Sequence, residues 1–201
     1  VGVQPGQAFA AALARPVLAW DIDGTLAFAG EAVCTALNAR FGTHYRAATE
    51  PAPQMKGYLT AEQHAWLHGQ RADIAANMAP DLDALRVLRA ARRAGHTTIL
   101  CSARHEALRQ VTVDWLNQWR APYDQLLLTG DASGKIAALA PYGPDRPAVL
   151  LDNDPAYQIA VPRPGVEVWA PRRSYTPSVP RTGVWVFDDW GEVADRLGVP
   201  F

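Results

Sequence analysis

Residues 20 to 26 read Trp20-Asp21-Ile22-Asp23-Gly24-Thr25-Leu26, an apolar approach that ends abruptly in two carboxylates, a glycine and a hydroxyl. Val17, Leu18 and Trp20 are apolar or strand-favouring, so Pro16 to Trp20 is expected as a short buried strand with both acids at its C-terminal end. In open parallel α/β sheets that edge is where ligands bind. Gly24 and Thr25 bring no positive charge to the pair, so a cation is its natural partner. Mg²⁺ takes a few carboxylate oxygens together with water and phosphate oxygens, and suits such a pair. Taken alone, Asp-x-Asp-Gly is equally a strand followed by a capped Asp-Gly turn.

Outward from this stretch the chain alternates strands and helices. Pro80 and Asp81 open a helix with Leu82, Leu85 and Leu88 on one stripe and Arg86, Arg89, Arg92 and Arg93 largely outside it, and Gly95 ends it. His96 to Cys101 reads as a second core strand delivering Ser102-Ala103-Arg104-His105. A hydroxyl at such a strand tip, followed by backbone amides at a helix start, suits a phosphate oxygen. Leu108, Val111, Trp115, Leu116 and Trp119 share a helical face, so residues 105–119 are expected as a crossover helix with its aromatics in the core. Gln125 to Leu128 is a third strand, and the turn Asp131 to Gly134 opens a helix carrying Lys135. Pro147 to Leu151 is a further buried strand, tipped by Asp152-Asn153-Asp154. Asp154 also suits the cap of a following helix.

Gly165 to Trp169 supplies another strand, followed by a basic, proline-containing loop, Pro171 to Arg181, whose Arg172 and Arg173 can approach a phosphate-bearing ligand and equally can belong to a simple surface crossing. Val184 to Phe187 is a second apolar run ending in paired acids, but a terminal helix from Trp190 to Leu197 follows at once. Asp188 and Asp189 are therefore assigned to capping.

The segment between the first two core strands breaks this rhythm. Glu31 to Phe41 is one candidate helix, Thr60 opens another, and Gly42 to Gly57 lies between them as a loop. The insertion is too small to fold well alone. Its His44, Tyr45, Lys56, Tyr58, His64, Trp66, His68 and Arg71 are candidates for a substrate entrance, and equally for the surface and packing of a helical hairpin. An alanine-rich stretch over residues 5–14 is expected as a short leading helix.

The string Asp21-Ile22-Asp23-Gly24-Thr25-Leu26 resembles the first motif of the haloacid dehalogenase (HAD) superfamily, and the later features resemble its remaining motifs in order. The resemblance implies an α/β fold, a Rossmann-like parallel sheet flanked by helices. Residues 1–27 and 79–201 would form the core, and 28–78 a small helical cap. It implies a phosphatase in which Asp21 attacks phosphorus to give an aspartyl-phosphate. Asp23 would protonate the leaving oxygen and then activate water. Dehalogenases of the superfamily generally lack the second acid, so Asp23 favours phosphoryl transfer.

By the same resemblance, Ser102 and Lys135 contact the substrate phosphate, and Arg104 assists substrate binding. Asp21, the backbone carbonyl of Asp23, and Asp152 would hold Mg²⁺, with Asp154 and Asn153 around them. Asn153 departs from the pattern, since many relatives carry a second consecutive Asp there. The Ser102-Ala103-Arg104 turn, Leu150-Leu151-Asp152-Asn153-Asp154-Pro155 and the helix through Trp115-Leu116-Asn117 are similar to deoxyribonucleotide phosphatases and to the phosphatase half of polynucleotide kinase-phosphatases. The substrate so implied is a nucleotide or a nucleic-acid terminal phosphate. A non-nucleotide phosphometabolite, or a non-catalytic binding protein with the same fold, are the alternatives.

Composition narrows the remaining classes. The 201 residues suffice for one well-packed domain plus a small insertion, and 49% apolar with 19% charged residues is a globular balance. A formal net charge of −1 gives no general attraction to nucleic acid or anionic membrane. No apolar run is long enough to span a bilayer and no basic-then-apolar leader is read, so no membrane association is expected. Two cysteines, Cys34 and Cys101, make no disulfide framework and fit a reducing cytoplasm. Only two lysines occur, Lys56 and Lys135, so Lys135 is the sole lysine outside the insertion. No Gly-x-x-x-x-Gly-Lys-Ser/Thr loop occurs, which disfavours a P-loop kinase.

Overall fold

The computed structural model describes residues 15–47, 57, 59–173, 175–176 and 181–201. The expected helix over 5–14, together with Lys56 and Tyr58, lies outside the described residues.

Six parallel strands form one sheet in the order β3-β2-β1-β4-β5-β6. They are β1 (Val17–Trp20), β2 (Thr98–Ser102), β3 (Gln125–Leu128), β4 (Ala148–Leu151), β5 (Val166–Pro171) and β6 (Val184–Phe187). β1 lies at the centre and is buried on both faces. Its period-2 alternation explains why. Leu18 and Trp20 enter the cluster formed with α4 (Leu82–Arg93), α5 (Arg109–Gln118) and α8 (Trp190–Leu197). Val17 and Ala19 enter the opposite cluster with Leu139, Tyr157 and Val161, carried by or next to α6 (Ala132–Leu139) and α7 (Pro155–Ala160). The chain leaves β1 for β2 and β3 on one side, then returns to β4, β5 and β6 on the other. The C-terminal edge between β1 and β4 is therefore the topological switch point, where open α/β sheets leave a crevice.

Sequence expectations and structure agree on the strands to within one or two residues. Within α4 the core stripe is Ala84, Leu85, Val87, Leu88, Ala90 and Ala91, while Leu82, at the first helical position, is exposed. The arginines of this helix are used structurally. Arg89 donates to the carbonyls of Trp119 and Arg120 just past α5, Arg92 pairs with Asp124, and Arg86 pairs with Asp83. The crossover expected over 105–119 begins as a 3₁₀ turn (Glu106–Leu108) before α5.

The segment between β1 and α4 contains α1 (Ala29–Phe41), α2 (Ala61–Gly69) and α3 (Arg71–Asn77). Thr60 opens α2 through a reciprocal capping box with Gln63. The segment leaves and rejoins the sheet side at adjacent points: Phe28 N donates to Ala79 O (2.9 Å) and Asp81 N to Leu26 O (2.8 Å). Cys34 and Leu37 form a small cluster of their own with Phe41, Tyr45 and Trp66. No helix among the described residues is long and apolar enough to cross a membrane.

Asp81 ties two layers together. Its Oδ1 accepts from Ala84 N at the start of α4 (3.0 Å), and its Oδ2 accepts from the buried Trp190 Nε1 (3.0 Å), whose ring stacks on Trp20 at 5.7 Å. Asp81→Ala removes a helix cap and orphans a buried indole N–H, so a loss of about 2–4 kcal/mol is expected in urea unfolding. Asp81→Asn, whose single side-chain oxygen can accept from only one of the two donors, should lose roughly half as much. Equal midpoints for wild type and Asp81→Ala would mean that the tie carries no stability.

Candidate active site

Pairing along the sheet brings the separated acids to one edge. Trp20 is in register with Leu151, and Asp21 N donates to Leu151 O (2.9 Å), so Asp21 and Asp152 leave adjacent strands side by side. On the other flank Trp20 pairs with Leu100, which places Ser102 at the tip of β2. Lys135 arrives from below on the first turn of α6. Asp131 fixes that turn by accepting from Gly134 N (2.7 Å).

The Lys135 ammonium is almost wholly enclosed and bridges Asp21 Oδ1 (2.6 Å) and Asp152 Oδ2 (2.8 Å), with its Nζ 4.5 Å from the centre of the Tyr157 ring. Burial disfavours its charge, but the two carboxylates outweigh this and hold its pKa well above the usual lysine value. Burial pushes Asp21 up to about 7 against the pull of Lys135, with Asp152 and Asp23 adding repulsion. Asp152 is raised for the same first reason. The site thus has more buried negative charge than Lys135 alone neutralises.

Asp23 is held differently. Arg104 grips it with a two-pronged fork, Nε to Oδ2 and Nη2 to Oδ1, both at 2.8 Å. Burial raises the Asp23 pKa, but Arg104, helped by Lys135 and the Ser102 hydroxyl, more than offsets this and holds the carboxyl below its ordinary value. The turn that presents it is tight. Ile22 O accepts from the amides of Leu26 and Ala27, while Gly24 takes φ +90°.

Asn153 closes over that turn. Its Oδ1 accepts from Thr25 Oγ1 (3.4 Å) and its Nδ2 donates to the Tyr175 hydroxyl (2.6 Å). Arg173 Nη2 donates to Gly24 O (3.2 Å). Asp154 caps α7 through Ala156 N (2.8 Å), and its own amide donates to Asp152 Oδ1 (2.8 Å), fixing that carboxylate. Of the residues singled out from sequence, Asp21, Asp23, Ser102, Arg104, Lys135, Asp152, Asn153 and Asp154 all line one cavity of about 990 Å³. His64, His68, Arg71 and Arg173 line it as well. Tyr45 and Trp66 pack inside the insertion instead, Trp66 edge-on to Phe41 at 5.5 Å, and His44 is exposed.

Tyr157, Tyr175 and Thr112 were not legible as site residues. Tyr157 and Tyr175 follow the C-terminal ends of β4 and β5, so the strand-tip rule is the one signal that points to them. Thr112 lies inside a helical apolar stripe, and nothing in its local sequence separates it from packing.

The donor set fits a hard divalent cation. Asp21 and Asp152 offer carboxylate oxygens side by side, and among the described residues no backbone amide donates to the Asp23 carbonyl. Also among the described residues, no three acidic, His or Cys side chains converge to enclose an ion unaided. Two carboxylates and one carbonyl, the rest left to water and phosphate, match Mg²⁺.

No family model matches the chain, and no curated protein matches it. Solved structures do. A haloacid dehalogenase-like family hydrolase from Streptococcus pneumoniae superposes with a TM-score of 0.65 at 12% identity, covering 90% of this chain and 98% of that one. A HAD family hydrolase from Deinococcus radiodurans, with bound phosphate and sodium, superposes with a TM-score of 0.62 at 15% identity, covering 92% and 95%. An L-2-haloacid dehalogenase gives 0.58 at 15% identity, covering 92% and 99%. The fold of this chain is the HAD-like α/β fold.

Two outcomes follow for the site. A Cβ at Gly24 would stand 2.5 Å from Asn153 Nδ2 at a φ that side chains resist, whereas Gly42, at φ +64°, has nothing within 4 Å. Gly24→Ala should cost at least about 2 kcal/mol, against about 1 for Gly42→Ala, in parallel denaturant titrations. Burial raises the pKa of Asp21, to about 7, so its contribution to stability is full below the usual carboxylate range and is lost as pH rises toward that value, and Asp152, raised by the same cause, acts in the same direction. Between about pH 5 and about pH 8 cation-stripped wild type should lose melting temperature relative to Asp21→Asn, a comparison in which the opposite contribution of buried His96 cancels, and Mg²⁺ should raise the wild-type melting temperature more at the higher pH.

Proposed function

We propose that the protein is a Mg²⁺-dependent phosphomonoester hydrolase working through an aspartyl-phosphate on Asp21. The observation that carries this reading is the pairing of two differently held acids at one strand tip: Asp21 buried against Lys135, and Asp23 on the other side of the same turn with its carboxylate one-third exposed toward the cavity. A site for carbon–halogen cleavage has no need of the second acid.

In the proposed reaction an ionised Asp21 oxygen attacks phosphorus, the bond to the leaving oxygen breaks, and Asp23, having taken up a proton from solvent on its exposed side, passes that proton to the leaving oxygen. Water then attacks the phosphorus of the aspartyl-phosphate. Asp23 takes the water proton, and the Asp21 carboxylate departs to release phosphate. Lys135 offsets the repulsion between Asp21 and the incoming phosphate, and Ser102, at the tip of β2, donates to a phosphate oxygen. Asp21, the Asp23 carbonyl and Asp152 would hold Mg²⁺, which when bound would add to the compensation of the phosphate charge. Residues 28–78 act as a cap over this centre.

For the substrate, a nucleotide or a nucleic-acid terminal phosphate is the reading retained. The cavity, about 990 Å³, exceeds what a bare phosphate needs, and Phe28, Val33, Leu67 and Leu108 add apolar lining to it. Arg71 and Arg173 at the same cavity suit an anionic ligand. Both cysteines are buried, which suits a reducing cytoplasm.

Phosphate release from 5′- and 3′-nucleotides, a 3′-phosphorylated oligonucleotide and sugar phosphates tests the proposal. Turnover should require Mg²⁺, stop with EDTA, and fall by roughly 10³-fold or more in Asp21→Asn. No release from any of these by folded, Mg²⁺-loaded protein would count against the hydrolase.

A further inference from the structure

Arg104 commits each of its three nitrogens to a partner within the protein. Nε and Nη2 take the two oxygens of Asp23, and Nη1 takes Thr112 Oγ1 at 2.9 Å. Nη2 also lies 3.9 Å from Met78 Sδ, and Met78 is itself fixed because its carbonyl accepts from Trp115 Nε1 (2.8 Å). The side chain of Arg104 is only 4% exposed, whereas that of Asp23 is 35% exposed. An arginine serving a substrate phosphate turns its planar fork toward the ligand. This fork is turned onto Asp23, and its third side is anchored on α5.

Asp23 needs such a support. It sits beside Gly24, at φ +90° in a tight turn, and a carboxylate that is one-third exposed has alternative rotamers open to it. The fork uses one lone pair on each oxygen and leaves others for a proton or water, since a carboxylate has about four acceptor sites. Thr112, on a different element, keeps the guanidinium plane from rotating with its partner.

We infer that Arg104 is a positioning residue that aims the Asp23 carboxylate at the leaving-group oxygen, with Thr112 and Met78 bracing it, and that it is not a ligand of the substrate phosphate. This rests on the reading of Asp23 as the acid and base of a phosphomonoester hydrolase. It makes Arg104 matter in proportion to how much the leaving group needs a proton. Alkyl esters need one, whereas nitrophenolate departs without it.

The test is steady-state kinetics on an alkyl phosphomonoester and on p-nitrophenyl phosphate, with Arg104→Lys, Arg104→Met, Thr112→Val, Asp23→Asn and the Arg104→Met/Asp23→Asn double variant. Inorganic phosphate binding to the Mg²⁺-loaded proteins is measured alongside by calorimetry. On the alkyl ester, Arg104→Met should lower kcat by roughly 10²-fold or more with KM changed less than about 3-fold, and should lose less than about 10-fold on the nitrophenyl ester. Arg104→Lys should be nearly as poor, because an ammonium cannot form the fork, although it is an adequate point charge for a phosphate. In the Asp23→Asn background Arg104→Met should cost less than about 3-fold, and phosphate affinity should hold within about 3-fold throughout the Arg104 series. Thr112→Val should show a weaker loss with the same ester dependence.

The inference is overturned by a raised KM with kcat intact, equal losses on both esters, rescue by lysine, multiplicative effects with Asp23→Asn, or phosphate affinity that collapses in Arg104→Met. The hydrolase reading fails separately, through a wild type without turnover. If that inactive protein still binds phosphate and Arg104→Met weakens the binding, the inference falls as well. If the affinity is unchanged, the assignment of Arg104 away from the phosphate stands.

Discussion

A lysine ammonium enclosed between Asp21 and Asp152 is the interaction on which the centre of this molecule depends. Three charges with almost no access to water are tolerable only as a set, since each alone would carry a desolvation cost of several kcal/mol. Breaking such a set is far more costly than never having built it. The geometry of β1, β4 and α6 must therefore hold all three within hydrogen-bond reach at once. Parallel pairing of Trp20 with Leu151 does so for the acids, and the Asp131 cap does so for the helix that carries the lysine.

The second acid obeys another logic. Asp21 and Asp152 share a buried cation and are pushed toward protonation by the environment they share, whereas Asp23 has its own guanidinium and is pulled the other way. Two carboxylates separated by one residue thus sit in unlike electrostatic surroundings, one against a buried ammonium shared with a third acid and one in the fork of a guanidinium. Asp21 and Asp23 both follow the end of β1, and Arg104, two residues past the end of β2, gives the second acid a partner of its own. Asn153, Tyr175 and Arg173 hold that turn down from the opposite flank.

Much of the fold was legible from the chain. Val17, Leu18 and Trp20 before two acids define a central strand tip. The spacing of Leu85 and Leu88, of Trp115 and Leu116, and the run Leu126 to Leu128 define the layers around it. Leu82 belongs to the same spacing as Leu85 and Leu88 yet is exposed at the first position of the helix, ahead of the buried stripe that begins at Ala84. The insertion was legible only in outline, since Tyr45 and Trp66 carry the same side-chain chemistry whether they face a ligand or, as here, their own helices.

What the sequence determined by itself is local: where strands end, which residues cap helices, and that acids, a hydroxyl, an arginine and a lysine recur at strand tips and helix starts in a fixed order. These follow from periodicity and from the hydrogen bonds a residue makes with its near neighbours. Which cation meets which anion was decided by tertiary structure alone. Lys135 is 114 residues from Asp21, and Arg104 is 81 residues from Asp23. At those separations the choice rests on sheet order, register and the depth at which each charge is buried. The same arginine at the same strand tip would serve a phosphate if its fork faced the cavity, and it serves Asp23 because Thr112 and Met78 turn it inward.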